Sequence, residues 1–426
     1  MSVTDHTERT ADTSSPETGT QTATPEKVVR RRPKNRRAQI AAEAASAFGA
    51  HGYHGVSMED IAGRLEISSA ALYRHYRSKY ALFREELFRL ADVTVAAVTL
   101  PEDAAQWSPR ERLDHVIDAV IAKTIGNRST TALVRWERRY LDESDRQALD
   151  DKFAEAVRLL GGLVRELRPG LARDDVAVRS VAVFSVVSSI GDHHATLPTR
   201  LLTPLLASTC RALIDVDLPA PEPTRPSAEP DTGSPFMHEV LLSKSVDLFH
   251  ERGYQNVSVE DIATAADLAT ASAVYRYYRS KSDLLAAAFR RAGDLVSGAI
   301  GPTVAASTSP AEALSSLIDM YVQGSFAERA LTYVYYAEFG NVAAEDRVTL
   351  QHIQQLVIAE WTKLLVQVRP ELTEAEARIL VHAGFALVVD LGRAVGNEGV
   401  APPNPRHTRP PPPQVGPAGR QRAGGA

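Results

Sequence analysis

Two stretches of this chain carry side chains whose type and spacing suit recognition of a polyanion. From Lys27 to Arg37 the chain places Lys27, Arg30, Arg31, Arg32, Lys34, Arg36 and Arg37, with no acidic residue among them. A local basic block on a chain of net charge −5 is the pattern of an arm that seeks phosphate. Taken alone, such a block is equally a solvated charge run. A second stretch, about thirty residues downstream, shifts the balance: Ser68-Ser69-Ala70-Ala71-Leu72-Tyr73-Arg74-His75-Tyr76-Arg77-Ser78-Lys79. Small residues Ser69, Ala70 and Ala71 let one end of a helix approach bases or phosphates closely, and a helix N-terminus offers backbone N–H groups to phosphate. Tyr73, His75 and Lys79 reach further phosphates. Arg74 suits a guanine edge, a phosphate or solvent, the last two being favoured. Tyr76 suits a core better than a contact.

Such a helix works only if neighbouring helices hold it at a fixed angle to the groove. Ile40, Ala44, Ala47 and Phe48 fall at i, i+4, i+7 and i+8, one apolar helical face. Gly52 stops that helix as a C′ glycine does. Ser57 and Asp60 make an approximate capping box for a second helix. Ser68 caps a third, running to about Tyr76, and Ile61, Leu65, Ile67 and Leu72 supply the small core between them. Proline and polar breaks divide the rest of this half into helical stretches at 79–100, 108–127, 130–141, 144–168, 173–195 and 199–216. No segment sustains the period-two alternation of a strand.

The pattern then repeats. Val56-Ser57-Met58-Glu59-Asp60-Ile61-Ala62 returns as Val257-Ser258-Val259-Glu260-Asp261-Ile262-Ala263, and Tyr73-Arg74-His75-Tyr76-Arg77-Ser78-Lys79 as Tyr275-Arg276-Tyr277-Tyr278-Arg279-Ser280-Lys281. Val56 to Val257 and Phe184 to Phe385 are both separated by 201 positions, so a whole unit is duplicated.

Phe48-x3-Gly52-Tyr53, the Val56–Ala62 run and Leu72–Lys79 resemble the TetR family of transcriptional regulators. The resemblance is strong over about 55 residues in each half. It implies an all-α fold of two tandem TetR-like units, each a three-helix helix-turn-helix headpiece followed by a helical ligand-binding and dimerisation body. It implies that the helix over 69–76 reads the major groove of double-stranded DNA, that Tyr73, His75 and Lys79 touch the backbone, and that 27–37 acts as an arm. The expected DNA-binding set is therefore Arg30, Arg31, Arg32, Lys34, Arg36, Arg37, Ser57, Ser68, Ser69, Ala70, Ala71, Tyr73, Arg74, His75 and Lys79. The turn departs from the family, which often has Ala-Gly-Val where this chain has Leu65-Glu66-Ile67.

The second copy differs in three ways. Ile262 to Tyr275 holds one residue more than Ile61 to Tyr73; with Thr270 as the cap matching Ser68, the extra residue falls in the turn, around Asp267-Leu268-Ala269. No basic arm precedes it. The final helix of the first body would recur at about 400–417, a proline-rich stretch that cannot form one. The second reader, with Thr270, Ser272, Tyr275, Arg276, Tyr277 and Lys281, is thus expected to bind DNA weakly or not at all.

The chain of 426 residues exceeds one ordinary core. The expected divisions are a disordered 1–26, an arm and headpiece 27–90, a body 91–217, a Pro-rich linker 218–235, a second headpiece 236–293, a second, truncated body 294–398, and a disordered tail 399–426. A single cysteine, Cys210, excludes an internal disulfide and a thiolate zinc site. Apolar runs are too short to span a membrane, residues 1–26 have no signal-peptide h-region, and a cytoplasmic location is the default expectation. No metal or cofactor is expected. His193-His194 are adjacent and point about 100° apart on a helix, which does not make a chelating pair.

The resemblance assigns the bodies a small-molecule effector and a dimer surface. Trp136 and Tyr140 in the first body, and Tyr335 and Tyr336 in the second, are pocket candidates, although aromatics at helical spacing more often build a core. Two assemblies satisfy the duplication: halves paired within one chain as a pseudo-dimer, or a homodimer through the first halves. The missing final helix favours the homodimer. The leading function is a ligand-responsive transcriptional regulator, most naturally a repressor. The alternative is a helical small-molecule-binding or scaffold protein with a vestigial DNA reader. No nucleophile elbow, Walker loop, His-Glu-x-x-His or dinucleotide fingerprint supports an enzyme.

Overall fold

A computed structural model describes residues 36–219 and 236–396. The expectations for 1–26, for Arg30, Arg31, Arg32 and Lys34, for most of the linker and for the tail lie outside those residues. Among the described residues there is helix and no strand. The first half runs α1 (Arg36–His51), α2 (Met58–Arg64), α3 (Ser69–Tyr73), α4 (Lys79–Val98), α5 (Pro109–Gly126), α6 (Arg128–Trp136), α7 (Glu143–Leu167), α8 (Arg173–Ser188) and α9 (Thr199–Asp215). The second runs α10 (Met237–Arg252), α11 (Val259–Ala265), a 3₁₀ segment (Ala271–Arg276), α12 (Lys281–Ala306), α13 (Pro310–Ala327), α14 (Arg329–Ala337), α15 (Ala344–Val368) and α16 (Glu374–Gly396). No described helix is long and apolar enough to cross a membrane.

The local signals form the elements they predict. Ile40, Ala44, Ala47 and Phe48 are buried on one face of α1. Gly52 takes φ +73°, a conformation L side chains rarely adopt, and its N–H closes on Phe48 O at 2.7 Å. The Ser57 hydroxyl accepts from Asp60 N at 3.0 Å while the Asp60 carboxylate accepts from Ser57 N at 2.8 Å, so Asp serves where Glu was the better candidate. Where a glycine was missing from the turn, Glu66 itself takes φ +52°, and Ile67 N still reaches Ala62 O at 3.0 Å. Holding a non-glycine residue left-handed costs about 1–2 kcal/mol.

The second copy repeats this turn at the constant offset: Asp267 takes φ +55° and Leu268 N reaches Ala263 O at 2.9 Å. The extra residue is Ala269, which stands between Leu268 and Thr270 and so lies in the connection, where the residue count puts it. Leu72 is the buried anchor of α3 and Val274 that of its counterpart; each follows the residue that opens its segment, Ser68 or Thr270, by four positions. That segment winds as 3₁₀, at three residues per turn rather than 3.6, which changes the phase of its exposed side chains.

The bodies also diverge. In the first, Leu113, Ile117, Ile121, Leu160 and Val164 are fully buried, and α9 packs on α5 and α8 through Leu206, Cys210 and Ile214. In the second, Ile318, at the position of Ile117, is 41% exposed. The two halves pack together inside the one chain. Helix α16 lies along α8, and Ile379 and Ala383 join the core of the first body. The second half thus offers α16 to the first in spite of lacking a counterpart of α9 among the described residues.

Candidate nucleic-acid interface and ligand cavity

The first reader presents an exposed strip built from Ala70, Tyr73, Arg74, His75 and Arg77, with Ser69 and Ala71 half-buried beside it. Beneath it Leu72 and Tyr76 are buried. Tyr76 is a core residue, as its sequence position implies; its hydroxyl donates to Glu85 at 3.1 Å, and burial pushes that hydroxyl up to about 12. Ser57 and Ser68 are occupied as caps, Ser68 accepting from Ala71 N at 3.2 Å.

Several cations expected at phosphates have partners within the headpiece. The Lys79 ammonium donates to Tyr53 O and Val56 O, both at 3.0 Å, and sits 4.4 Å from the centre of the Tyr53 ring. It fastens the α1–α2 connection to the start of α4, and burial lowers its pKa. Lys281 does the same in the second copy, at 2.8 Å to both Tyr254 O and Val257 O. Arg37 lies over the Tyr76 ring and pairs with Glu85, whose hydrogen bonds from Arg37 hold that carboxyl below its usual range. Arg36 donates to Gln39 and to Leu65 O.

The second reader exposes Tyr275, Arg276 and Tyr277. Thr270 stands at the start of its 3₁₀ segment but caps nothing; its hydroxyl meets that of Ser272 at 2.9 Å. Arg279, the counterpart of Arg77, is held by Asp283 at 3.2 Å, and Asp283 occupies the place of Ala81. Both arginines are exposed, but the second copy pairs its own with a carboxylate.

Two buried carboxylates that sequence reasoning did not single out join headpiece to body. Glu137 accepts from Tyr53 N at 3.0 Å, and Glu338 from Tyr254 N at 2.9 Å. Burial raises the pKa of both. Their separation of 201 positions was the available signal. Arg139 of the first half pairs with Glu338 of the second at 2.8 Å, so one of these joints is also part of the seam between halves.

At that seam Arg135 is buried between Asp192 (3.1 Å) and Asp390 (2.7 Å), and Arg393 stands 3.8 Å from Asp390, giving two cations and two anions. Burial pushes Asp192 up to about 6 against the pull of Arg135 and of the Trp136 N–H, which donates to it at 2.7 Å. His193 and His382 stack at 4.0 Å; burial drives His382 down to about 4 and His193 further still. His194 is exposed, so the two adjacent histidines part, although they lie beyond the end of α8 and not on a helix as expected. Among the described residues no cluster of His, Cys, Asp and Glu could hold a metal ion.

A cavity of about 290 Å³ opens in the second body between α12, α13, α14, α15 and α16. Tyr335 and Tyr336 line it, as does Asp192 from the first half. Trp136 and Tyr140 do not. Trp136 stacks on Tyr336 at 5.6 Å across the seam, and Tyr140 stacks on Tyr53 at 5.9 Å, under the first headpiece. Aromatic type and helical spacing are the same for all four; which of them meets empty space depends on the surrounding helices.

Comparison with known proteins supports the reader assignment. Residues 40–85 and 241–288 each match the family model for bacterial regulatory proteins of the tetR family. Among solved structures, a TetR-family transcriptional regulator from Bordetella parapertussis is 23% identical, with 43% of this chain and 96% of that one covered and a TM-score of 0.39. PfmR, a TetR-family regulator from Thermus thermophilus, is 25% identical over 41% of this chain and 97% of its own, with a TM-score of 0.37. A tetR-family regulatory protein from Rhodococcus gives 19%, 43%, 98% and 0.38. Among curated proteins none matches. The tetR-family model thus recurs on both helix-turn-helix headpieces, which gives the chain two tetR-type headpieces in a tandem architecture.

Proposed function

We propose that this protein is a ligand-responsive repressor that reads its operator with the first half and senses its effector with the second. The observation that carries the DNA assignment is the contrast between the readers: the first offers Tyr73, Arg74, His75 and Arg77 on an exposed strip over a packed core, while the second is rewound as 3₁₀ and pairs Arg279 with its own carboxylate. Segment 27–37 adds phosphate contacts in this reading, and Lys79 acts from inside the headpiece. The pairing of α8 with α16 supports an intramolecular pseudo-dimer as the working unit.

The effector reading rests on the cavity and on what borders it. Asp192 lines the cavity and holds Arg135 and Trp136 of α6; α6 packs on α1 of the first headpiece. A ligand that favours one arrangement of Asp192 over another would bias the position of α6 and so the reader, provided that its affinity differs between the two states.

The test is fluorescence anisotropy of the full chain on the DNA upstream of its own gene. With one reader and arm neutralising about four phosphates, affinity falls about tenfold for each doubling of salt. A flat salt response would favour a scaffold with a vestigial reader. Light scattering on the same sample distinguishes one chain per operator from two.

A further inference from the structure

The cavity in the second body also carries information about what enters it. Its walls are largely aromatic and aliphatic: Tyr321, Tyr336, Trp361 and Phe385 face Leu317 and Val357. Tyr321 and Trp361 stand where the first body has Val120 and Leu160 in its solid core. Gly293 and Gly324 also border the space, and a Cβ added at Gly324 would meet nothing within 4 Å.

Every charge on the lining already has an answer. Asp192 is paired with Arg135, and Arg291 with Glu239 at 2.6 Å and Glu328 at 3.7 Å. His382 is stacked on His193, where burial keeps it neutral. A charged ligand would lose its hydration and find no unpaired partner. The uncharged groups are different. The Tyr335 hydroxyl, the Thr332 hydroxyl and the Gln354 amide line the cavity and have no hydrogen-bond partner among the described residues. All three residues are half-buried, so these groups are open to a bound molecule.

We propose that this cavity binds an uncharged, ring-bearing, mostly apolar molecule that offers a hydrogen-bonding oxygen to Tyr335 and its neighbours Thr332 and Gln354. The proposal deepens the effector reading above and rests on it for its regulatory meaning, but not for binding itself. The aromatic walls supply area and ring contacts, and the neutral polar groups orient the ligand.

The experiment is isothermal titration of the full chain, without DNA, with three probes of one skeleton: 2-acetylnaphthalene, naphthalene and 2-naphthoate. The neutral ketone is expected to bind at one site per chain, at least tenfold more tightly than the carboxylate and severalfold more tightly than the hydrocarbon. Gly324→Leu fills the space and removes binding of all three probes, with the helical circular dichroism unchanged. Tyr335→Phe weakens the ketone severalfold and leaves naphthalene as it was. Equal or tighter binding of 2-naphthoate overturns the proposal, as does failure of all three to bind or binding that survives Gly324→Leu. Ketone binding that leaves the DNA affinity unchanged would count against the effector reading alone and leave the ligand class standing.

Discussion

In the first half α3 is a regular helix above a body packed solid around Ile117 and Leu160; in the second the reading segment is 3₁₀ and the body encloses about 290 Å³. Both halves keep the features that build a headpiece. Gly52 and Gly253 take the same positive φ, the Ser57 and Ser258 capping boxes are alike, and Lys79 and Lys281 fasten the same loop. Divergence is concentrated in the surface that would meet DNA and in the volume that would meet a ligand. On the proposed reading, one copy keeps the shape required at a groove, and the other is relieved of it and can specialise in sensing. Duplication within one chain permits this because the halves are paired covalently as well as through α8 and α16.

The sharpest way to break the comparison is at the readers. Tyr73→Ala with His75→Ala should weaken operator binding at least about a hundredfold, near 3 kcal/mol. Tyr275→Ala with Tyr277→Ala should change it less than about threefold. Comparable losses in anisotropy titrations would make the readers equivalent.

The seam between halves should respond to acid. His193 and His382 have folded pKa values below the unfolded value near 6.5, so the unfolded chain binds more protons as pH falls. Their contribution is fully present above about pH 6.5 and declines toward the folded value of His382, about 4, by about 1.4 kcal/mol per pH unit for each histidine. Asp192, raised to about 6, opposes this, since its protonated form is favoured in the fold as pH drops. Denaturant melts of His382→Gln should show a shallower acid decline than the parent; an unchanged slope excludes the histidine pair as its source.

Packing density can be probed with two helical glycines. At Gly161 a new Cβ would meet Val176 and Ser180 at 3.2 and 3.3 Å, whereas at Gly324 it meets open space. Gly161→Ala is expected to destabilise by about 1 kcal/mol net, overpacking against Val176 and Ser180 outweighing the helix-propensity gain, and Gly324→Ala to stabilise by about 1 kcal/mol through helix propensity. Same-sign shifts in the denaturation midpoint would contradict a solid first body and a hollow second.

The smallest contrast lies in the turns. Glu66→Gly should relieve backbone strain and gain about 1 kcal/mol, while Asp267→Gly gains less, because aspartate visits the left-handed region more readily. Thermal melts of the two variants check the order.

How far the sequence could be read divides along physical lines. The helices, their caps, the Gly52 stop, the buried faces of α1 and Tyr76, and the duplication were all legible, because a cap or an apolar stripe is set by residues within a turn or two of each other. The expected site was legible only in outline. That Tyr73, Arg74 and His75 lie exposed follows from their place at and just beyond the end of a short helix anchored by Leu72 and Tyr76, but the inward turn of Lys79 depends on two carbonyls of the preceding loop. The extra residue was visible as a count, and its place in the connection followed from matching Thr270 to Ser68; that the segment after it winds as 3₁₀ was not visible. Sequence alone determined two helical units of one ancestry with unequal readers. Tertiary structure decided that Asp390 meets Arg135 across 255 positions, that α16 packs along α8, and that Tyr335 faces a cavity while Trp136 fills a seam. The reason is that a cavity or an interface is a balance of side-chain volumes drawn from several helices, and no local stretch of sequence holds that sum.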